Sequence, residues 1–392
     1  MIPYGRQDID PRDIEAVVKV LRSDFLTQGP MVPDFERAIA ARVNAPHVVC
    51  VSNATAALHI AMLALGIGPK SLVWTTPNTF VATANTALLC GADVDFVDID
   101  SKSYCLSADR LEEKLERAHR SGARLPDLVV PVHFAGQSCD MPRLANLATH
   151  YGFKILEDAS HAIGAEADGG PVGDCRYSAA CVFSFHPVKI ITTGEGGAIS
   201  TRDPLLAQRL TDLRSHGITR DVTRLSDSVH QLEERGSWYY ELQDVGLNYR
   251  LTDLQAALGL SQIAKLDQFI ARRHALAARY DHALAALPVT RPWQNPACHS
   301  AYHLYPITLD VKAIGKSRRA VFDALKAANI GVNVHYIPVH LQPVYRARGF
   351  GAGYCPIAED YYARAITIPL FSAMTDDEQD QVIAALNEIL KT

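Results

Sequence analysis

No two of the eight cysteines (Cys50, Cys90, Cys105, Cys139, Cys175, Cys181, Cys298 and Cys355) form a C-x-x-C pair. Neither a zinc knuckle nor a disulfide lattice is indicated, and the usage fits a reducing cytoplasm. No apolar run approaches the ~20 residues that a bilayer-spanning helix needs. The opening "MIPYGRQDIDPRD" lacks a charged segment followed by an apolar one, so no secretory signal is expected and the chain reads as cytoplasmic, with no membrane partner. Lysine and arginine form no run, and the formal net charge is −5, which points away from nucleic acid. No G-x-G-x-x-G follows the first strand-like run, so a nicotinamide enzyme is disfavoured. No ligand cluster suggests a metal, and no internal repeat or low-complexity tract is present.

What is there is ordinary globular material: 392 residues, 48% hydrophobic and 21% charged, enough for one large domain and a smaller one. In "DPRDIEAVVKVLRSD", Asp10 suits a helix cap and Pro11 the first turn, with Ile14, Val17, Val18 and Leu21 on one face. From about residue 48, short apolar runs ("VVCVSN", "SLVWTT", "VDFVDI", "LVVPVH", "KILEDAS") alternate with helical stretches. Strands that are hydrophobic throughout and separated by helices predict an α/β fold with a mainly parallel sheet covered on both faces. Ligands of such folds gather at the carboxyl ends of the strands. Residues 217–245 show no sustained period and predict an irregular excursion. Thr252 and Gln255 stand in capping-box spacing at the start of a long helix. The division expected is an N-terminal arm and helix (1–25), a large domain (26–261) and a small C-terminal α/β domain (262–392).

Four features could carry chemistry. Lys189 follows the apolar run Cys181 to Phe185, hence a strand's carboxyl end, with Pro187 before it and Gly194, Gly196 and Gly197 behind it. In an apolar cleft its pKa would fall, yielding a neutral amine that attacks carbonyls; a surface loop is the plain alternative. Asp158, ending "KILED", is expected at the same edge. A pyridoxal phosphate enzyme needs this pair, lysine to bond the aldehyde and aspartate to keep the pyridine nitrogen protonated. An N-cap or Asx turn is the alternative for Asp158. In "SNATAALHIA" a strand runs into a helix whose small residues Ala54, Thr55 and Ala56 let backbone N–H groups approach a phosphate, while capping by Asn53 explains the stretch equally well. Ser184 could add a hydroxyl there. Phe80 in "TTPNTFVATA" could cover the pyridine ring or serve as a core aromatic.

These blocks, "SNATAALH", "TTPNTFVATAN", "PVHFAGQ", "EDASHAIGA", "FSFHPVKIITTGEGG", "RSHG" and "NYRLTDLQAALG", resemble in order those of the DegT/DnrJ/EryC1/StrS-type aminotransferases, fold type I enzymes that use pyridoxal phosphate on nucleotide-linked keto sugars. The resemblance implies Lys189 as the lysine bonded to the cofactor and as proton shuttle, and Asp158 as the pyridinium partner. It further implies His161 at the ring hydroxyl, Thr55, Ala56 and Ser184 at the phosphate, and Phe80 over the ring. Asn248 would reach the phosphate bound by a neighbouring subunit, so a homodimer with shared sites is implied. Many members have glutamine where His161 stands, and glycine or serine where Ala54 stands. Relatives that remove a sugar hydroxyl have histidine at the position of Lys189, so lysine argues for amino transfer.

"IPYGRQDID", "DFLTQGP", "HLYPI" and "GVNVHYIPVHLQPVYR" resemble the branch that makes UDP-4-amino-4,6-dideoxy-N-acetyl-β-L-altrosamine for pseudaminic acid. On that likeness Tyr4, Asp24, Phe25, Leu26, Thr27, Ala54, Ser184, Asn248, Asn333, Val334, His335 and Tyr336 would line the nucleotide-sugar site. L-Glutamate would be the amino donor and a UDP-4-keto sugar the acceptor. Alternatives are another 4-keto-6-deoxy sugar of perosamine or bacillosamine type, and a non-catalytic cofactor-binding sensor or structural protein.

Overall fold

The computed structural model describes residues 1–226 and 236–391. Its centre is a seven-stranded sheet. In chain order the strands are β1 (His47–Val51), β2 (Leu72–Thr75), β3 (Asp93–Phe96), β4 (Leu128–Val130), β5 (Lys154–Asp158), β6 (Ala180–Ser184) and β7 (Gly197–Thr201). In space the order is β1-β7-β6-β5-β4-β2-β3. Only β7 runs antiparallel to its neighbours. The carboxyl ends of the other six strands therefore share one edge, and β7 starts there at Gly197. The apolar β4 and β6 are buried at every position, as strands covered on both faces should be.

The first helix, Pro11–Leu21, has the cap expected: Asp10 accepts from the amides of Arg12 and Asp13, with Pro11 at the first turn. Of the four residues on the apolar face, Val17 and Val18 are half-buried and the two at its ends stand out in solvent. Ile14 and Leu21 are each 58% exposed, whereas Asp13 is fully buried and Val20 nearly so. The reason is electrostatic: the Asp13 carboxylate accepts from Lys265 Nζ at 2.6 Å, Ser261 Oγ at 2.6 Å and Gln262 Nε2 at 2.9 Å. That polar cluster turns the ends of the apolar stripe outward.

Thr252 and Gln255 form the capping box anticipated, but the helix that follows is two, Asp253–Ile263 and Leu266–Ala283. The break places Lys265 where it reaches both Asp13 and Asp10. Within residues 217–245, Ile218–Thr219 pairs antiparallel with Glu241–Leu242, and positions 227–235 of that stretch lie outside the described residues.

A three-stranded sheet, Val289–Thr290, Tyr305–Leu309 and Ala365–Ile368, carries a second core with Val321, Leu325, Val382 and Leu386 of the helices packed on it. The helix Leu266–Ala283 gives Leu266, Phe269 and Ile270 to the large-sheet side and Leu276, Ala277 and Tyr280 to the second core. It is the joint of the proposed large and small domains. Ile2 also belongs to the second core and bridges to Ile330. Among the described residues no helix is long and apolar enough to cross a membrane, and no group of three or more His, Cys, Asp or Glu side chains could hold a metal ion.

Candidate active site

A cleft of about 1010 Å³ opens at the carboxyl edge of the sheet. It brings together thirteen of the residues singled out in the sequence: Tyr4, Ala54, Thr55, Ala56, Phe80, Asp158, His161, Ser184, Lys189, Asn333, Val334, His335 and Tyr336. The mixture of first arm, large sheet and second-core segment explains the size of the sequence separations. Phe80 is 60% exposed and its ring stands in the cleft, not in the core.

Lys189 sits in the loop after β6, its N–H donating to the carbonyl of His186. Desolvation brings its ammonium down to about 8, against the opposing pull of the Asp158 carboxylate. Asp158 ends β5 and is only 4% exposed. Its Oδ1 accepts from the N–H of Ser160 at 3.1 Å and from Ser160 Oγ at 2.6 Å, and its Oδ2 accepts from Thr83 Oγ1 at 2.8 Å. A buried carboxylate so furnished with neutral donors is a fixed negative charge facing the cleft.

The helix Ala54–Ala64 starts at the cleft directly after β1. Of the first-turn N–H groups that a helix leaves without internal partners, that of Ala56 goes to Asn53 Oδ1 at 2.8 Å. The capping role weighed for Asn53 is thus real and coexists with the anion-favouring end of the helix. Gly197 faces this turn. A Cβ there would stand 2.7 Å from Ala54 N and 2.8 Å from Asn53 O, so only glycine lets β7 approach so closely. Ser184, the register partner of Gly197, lines the cleft beside them.

Three imidazoles, of His161, His303 and His335, also line the cleft. His161 is 5% exposed, its ring centroid 4.4 Å from that of His303. Its Nδ1 accepts from the N–H of Ala135 at 3.3 Å, and its Nε2 is 3.1 Å from Tyr336 Oη. Ala135 has φ +58°, a left-handed conformation rare for alanine, and that turn aims its N–H at His161 while its carbonyl accepts from His303 N. Burial, with the Lys189 cation nearby, holds His161 and His303 well below the usual imidazole range. His335 is lowered to about 3 for the same two reasons. All three are neutral at pH 7. His335 Nδ1 pairs with Thr367 Oγ1 at 2.9 Å, and the Tyr336 amide donates to Asn78 Oδ1 at 3.2 Å.

Five anticipated residues are not brought to this cleft. Asp24, Phe25, Leu26 and Thr27 are all exposed, and so is Asn248; the segment is tied down by Asp253 N donating to Leu26 O and a bridge between Thr27 and Thr252. Sequence reasoning missed Thr83, Ser160, His303, Glu195, Tyr249 and Gln342, which do line it. Thr83 and Ser160 lay inside motifs already quoted, but only the fold shows that both hydroxyls point at Asp158.

Residues 7–387 match the model of the DegT/DnrJ/EryC1/StrS aminotransferase family. The spore coat polysaccharide biosynthesis protein SpsC of Bacillus subtilis (strain 168) is 38% identical over 396 residues, covering 100% of this chain and 97% of SpsC. Among solved structures, Helicobacter pylori PseC, an aminotransferase involved in the biosynthesis of pseudoaminic acid, superposes with a TM-score of 0.87 at 29% identity over 99% of both chains. The PLP form of Spr1654 from Streptococcus pneumoniae superposes with a TM-score of 0.86 at 28% identity over 100% of both. The cleft fits pyridoxal phosphate on its own chemistry. It offers a desolvated lysine amine, a buried carboxylate, and the N-terminal turn of a helix that favours an anion.

Proposed function

This chain belongs to the DegT/DnrJ/EryC1/StrS aminotransferase family and is a pyridoxal-phosphate-dependent sugar aminotransferase; on that premise we propose the substrate and the roles of its residues. The amino group of L-glutamate moves to C4 of UDP-2-acetamido-2,6-dideoxy-β-L-arabino-hex-4-ulose, giving UDP-4-amino-4,6-dideoxy-N-acetyl-β-L-altrosamine on the way to pseudaminic acid. The observation that carries amino transfer is the desolvated Lys189 amine in one cleft with Asp158. The likeness to PseC over nearly the whole chain supports the particular sugar. The comparable likeness to SpsC favours a second reading, another nucleotide-linked 4-keto-6-deoxy sugar.

When bound, pyridoxal phosphate supplies an electron sink for the carbanion left by breaking a C–H bond beside nitrogen. Thr55, Ala56 and Ser184 would hold its phosphate at the helix start, His161 would donate to its ring oxygen, and Phe80 would cover the ring. Asp158 holds a proton at the pyridine nitrogen, because a fixed carboxylate at that edge favours the charged ring. Lys189 Nζ removes the α-proton of glutamate and in the second half-reaction delivers a proton to the sugar at C4. Its lowered pKa matches both duties near neutral pH. Tyr4, Asn333, Val334, His335 and Tyr336 wall the cleft on the sugar side and exclude water. The homodimer with shared sites gives Asn248, exposed in one chain, a place at the partner's phosphate.

The test is turnover of the purified holoenzyme with L-glutamate and, side by side, the β-L-arabino keto sugar and its epimers, with products weighed by mass spectrometry. Preferred amination of the β-L-arabino substrate is expected. Equal or better turnover of a D-configured 4-keto sugar would favour the second reading.

A further inference from the structure

We infer that Thr83 is a positioning residue for Asp158, and that the oxygen it holds, Oδ2, is the one left to accept the pyridinium proton. The inference rests on the reading of Asp158 as the partner of that nitrogen. An ionised carboxylate offers about two acceptor sites on each oxygen. Both sites of Oδ1 are taken by Ser160, through its N–H at 3.1 Å and its Oγ at 2.6 Å. Oδ2 holds one donor, Thr83 Oγ1 at 2.8 Å, and keeps one site free.

The direction of the hydroxyl follows from its neighbours. Thr83 Oγ1 is 2.8 Å from Thr79 Oγ1 and 3.3 Å from the carbonyl of Phe80. It has a single proton, and the nearer, charged acceptor is Asp158. Thr83 therefore donates to Asp158 and accepts from Thr79, so two hydroxyls in series polarise each other toward the carboxylate. Thr79, Thr83 and Asp158 are 2%, 1% and 4% exposed, so water does not substitute for a lost member. The same turn carries Phe80 into the cleft. The Thr83 N–H donates to the Phe80 carbonyl at 3.3 Å, so one turn carries both the hydroxyl that holds Asp158 and the aromatic side chain of the cleft.

The experiment measures cofactor affinity of the apoprotein and the pH titration of the cofactor's visible absorbance in the reconstituted protein, neither of which needs turnover. Thr83→Val keeps the shape and removes the donor; it is expected to weaken pyridoxal phosphate binding roughly ten-fold, the loss of one hydrogen bond to a charged group, and to shift the absorbance titration. Thr83→Ser is expected to restore both. Ser160→Ala leaves Oδ2 untouched and is expected to move the titration less than Thr83→Val. Wild-type affinity and titration in a folded Thr83→Val protein would overturn the inference. If Thr83→Val does not fold, Thr79→Val takes its place: it removes the donor behind Thr83, and an unshifted titration there would equally overturn it. Asp158→Asn separates the two levels. If that variant binds and titrates as wild type does, the reading of Asp158 fails instead.

Discussion

Nε2 of His161 lies 3.1 Å from Oη of Tyr336, while Nδ1 of the same ring accepts the Ala135 amide on its other side. Because His161 is neutral, its one proton is on Nε2, and the backbone has chosen the tautomer. His161 is thereby a donor toward the cleft. A glutamine carboxamide also offers an acceptor and a donor, so it can reproduce both contacts of this ring. His161→Gln is expected to keep kcat/KM within a few-fold, and His161→Ala to lower it by about ten-fold through the lost hydrogen bond. Steady-state kinetics with glutamate check both; equal loss in the two variants would show that donation is not what matters.

Lys189 gives a pH signature in the apoprotein. Its amine is the reactive form, and its pKa is lowered from 10.5 to about 8, so the neutral fraction is about a tenth at pH 7 and about nine-tenths at pH 9. The rate of combination with pyridoxal phosphate, followed by the growth of its visible band, is expected to rise through a midpoint near pH 8. A midpoint near 10.5 would mean that the amine is not desolvated. Lys189→Arg is expected to abolish the band and transamination together; persistence of a biological role in that variant would favour a sensor or structural protein.

The sequence carries the positions of Asp158, Ser184 and Lys189 because each lies at or just past the end of an apolar run, with Pro187 marking the end of the run that holds Ser184 and precedes Lys189, and strand ends of a parallel sheet share an edge. It carries helix caps for the same local reason: Asp10 and Thr252 contact residues two or three positions away. It does not carry the partners of Asp13, which lie about 250 positions away. Periodicity says which residues share a helix face, and a buried ion pair then decides which face turns inward. Thr83 and His303 were invisible for a related reason. Hydroxyls and imidazoles have no periodic signature, and their roles appear only when distant strands bring Asp158 and His161 beside them.

The Asp13 cluster makes a stability prediction. Burial alone raises the Asp13 carboxyl, yet the donors Lys265 and Ser261 more than offset it, and the net shift is downward from 3.8. A carboxyl lowered on folding contributes stability that is complete above its unfolded pKa and is lost as pH falls through the folded one. Asp13→Ala leaves Lys265, only 5% exposed, with the more exposed Asp10 as its remaining acid, and removal of one partner of a buried pair typically costs about 3–5 kcal/mol. Urea unfolding at pH 7 is expected to show most of that loss. The difference between wild type and variant is expected to shrink below about pH 3.8, where the wild-type carboxyl takes up its proton in the unfolded chain and then the folded one. A pH-independent difference would mean that packing, not charge, holds the helix.

The outward ends of the first helix's apolar face bear on assembly. Ile14 and Leu21 at 58%, Phe25 at 53% and Leu26 at 48% are exposed, as is Val245 near Asn248 at 83%. Large apolar side chains in such number on one chain are characteristic of a surface that another copy covers. If the partner's Asn248 serves each cleft, neither a Lys189→Ala dimer nor an Asn248→Ala dimer holds a complete site, but a mixed dimer holds one. Refolding the two variants together at equal amounts makes half the dimers mixed, so roughly a quarter of wild-type sites are restored. The expected result is activity near that level in the co-refolded sample and little in either parent or in a mixture never unfolded, with sedimentation giving the mass of two chains. Activity no greater than the sum of the parents would place Asn248 outside the partner's site.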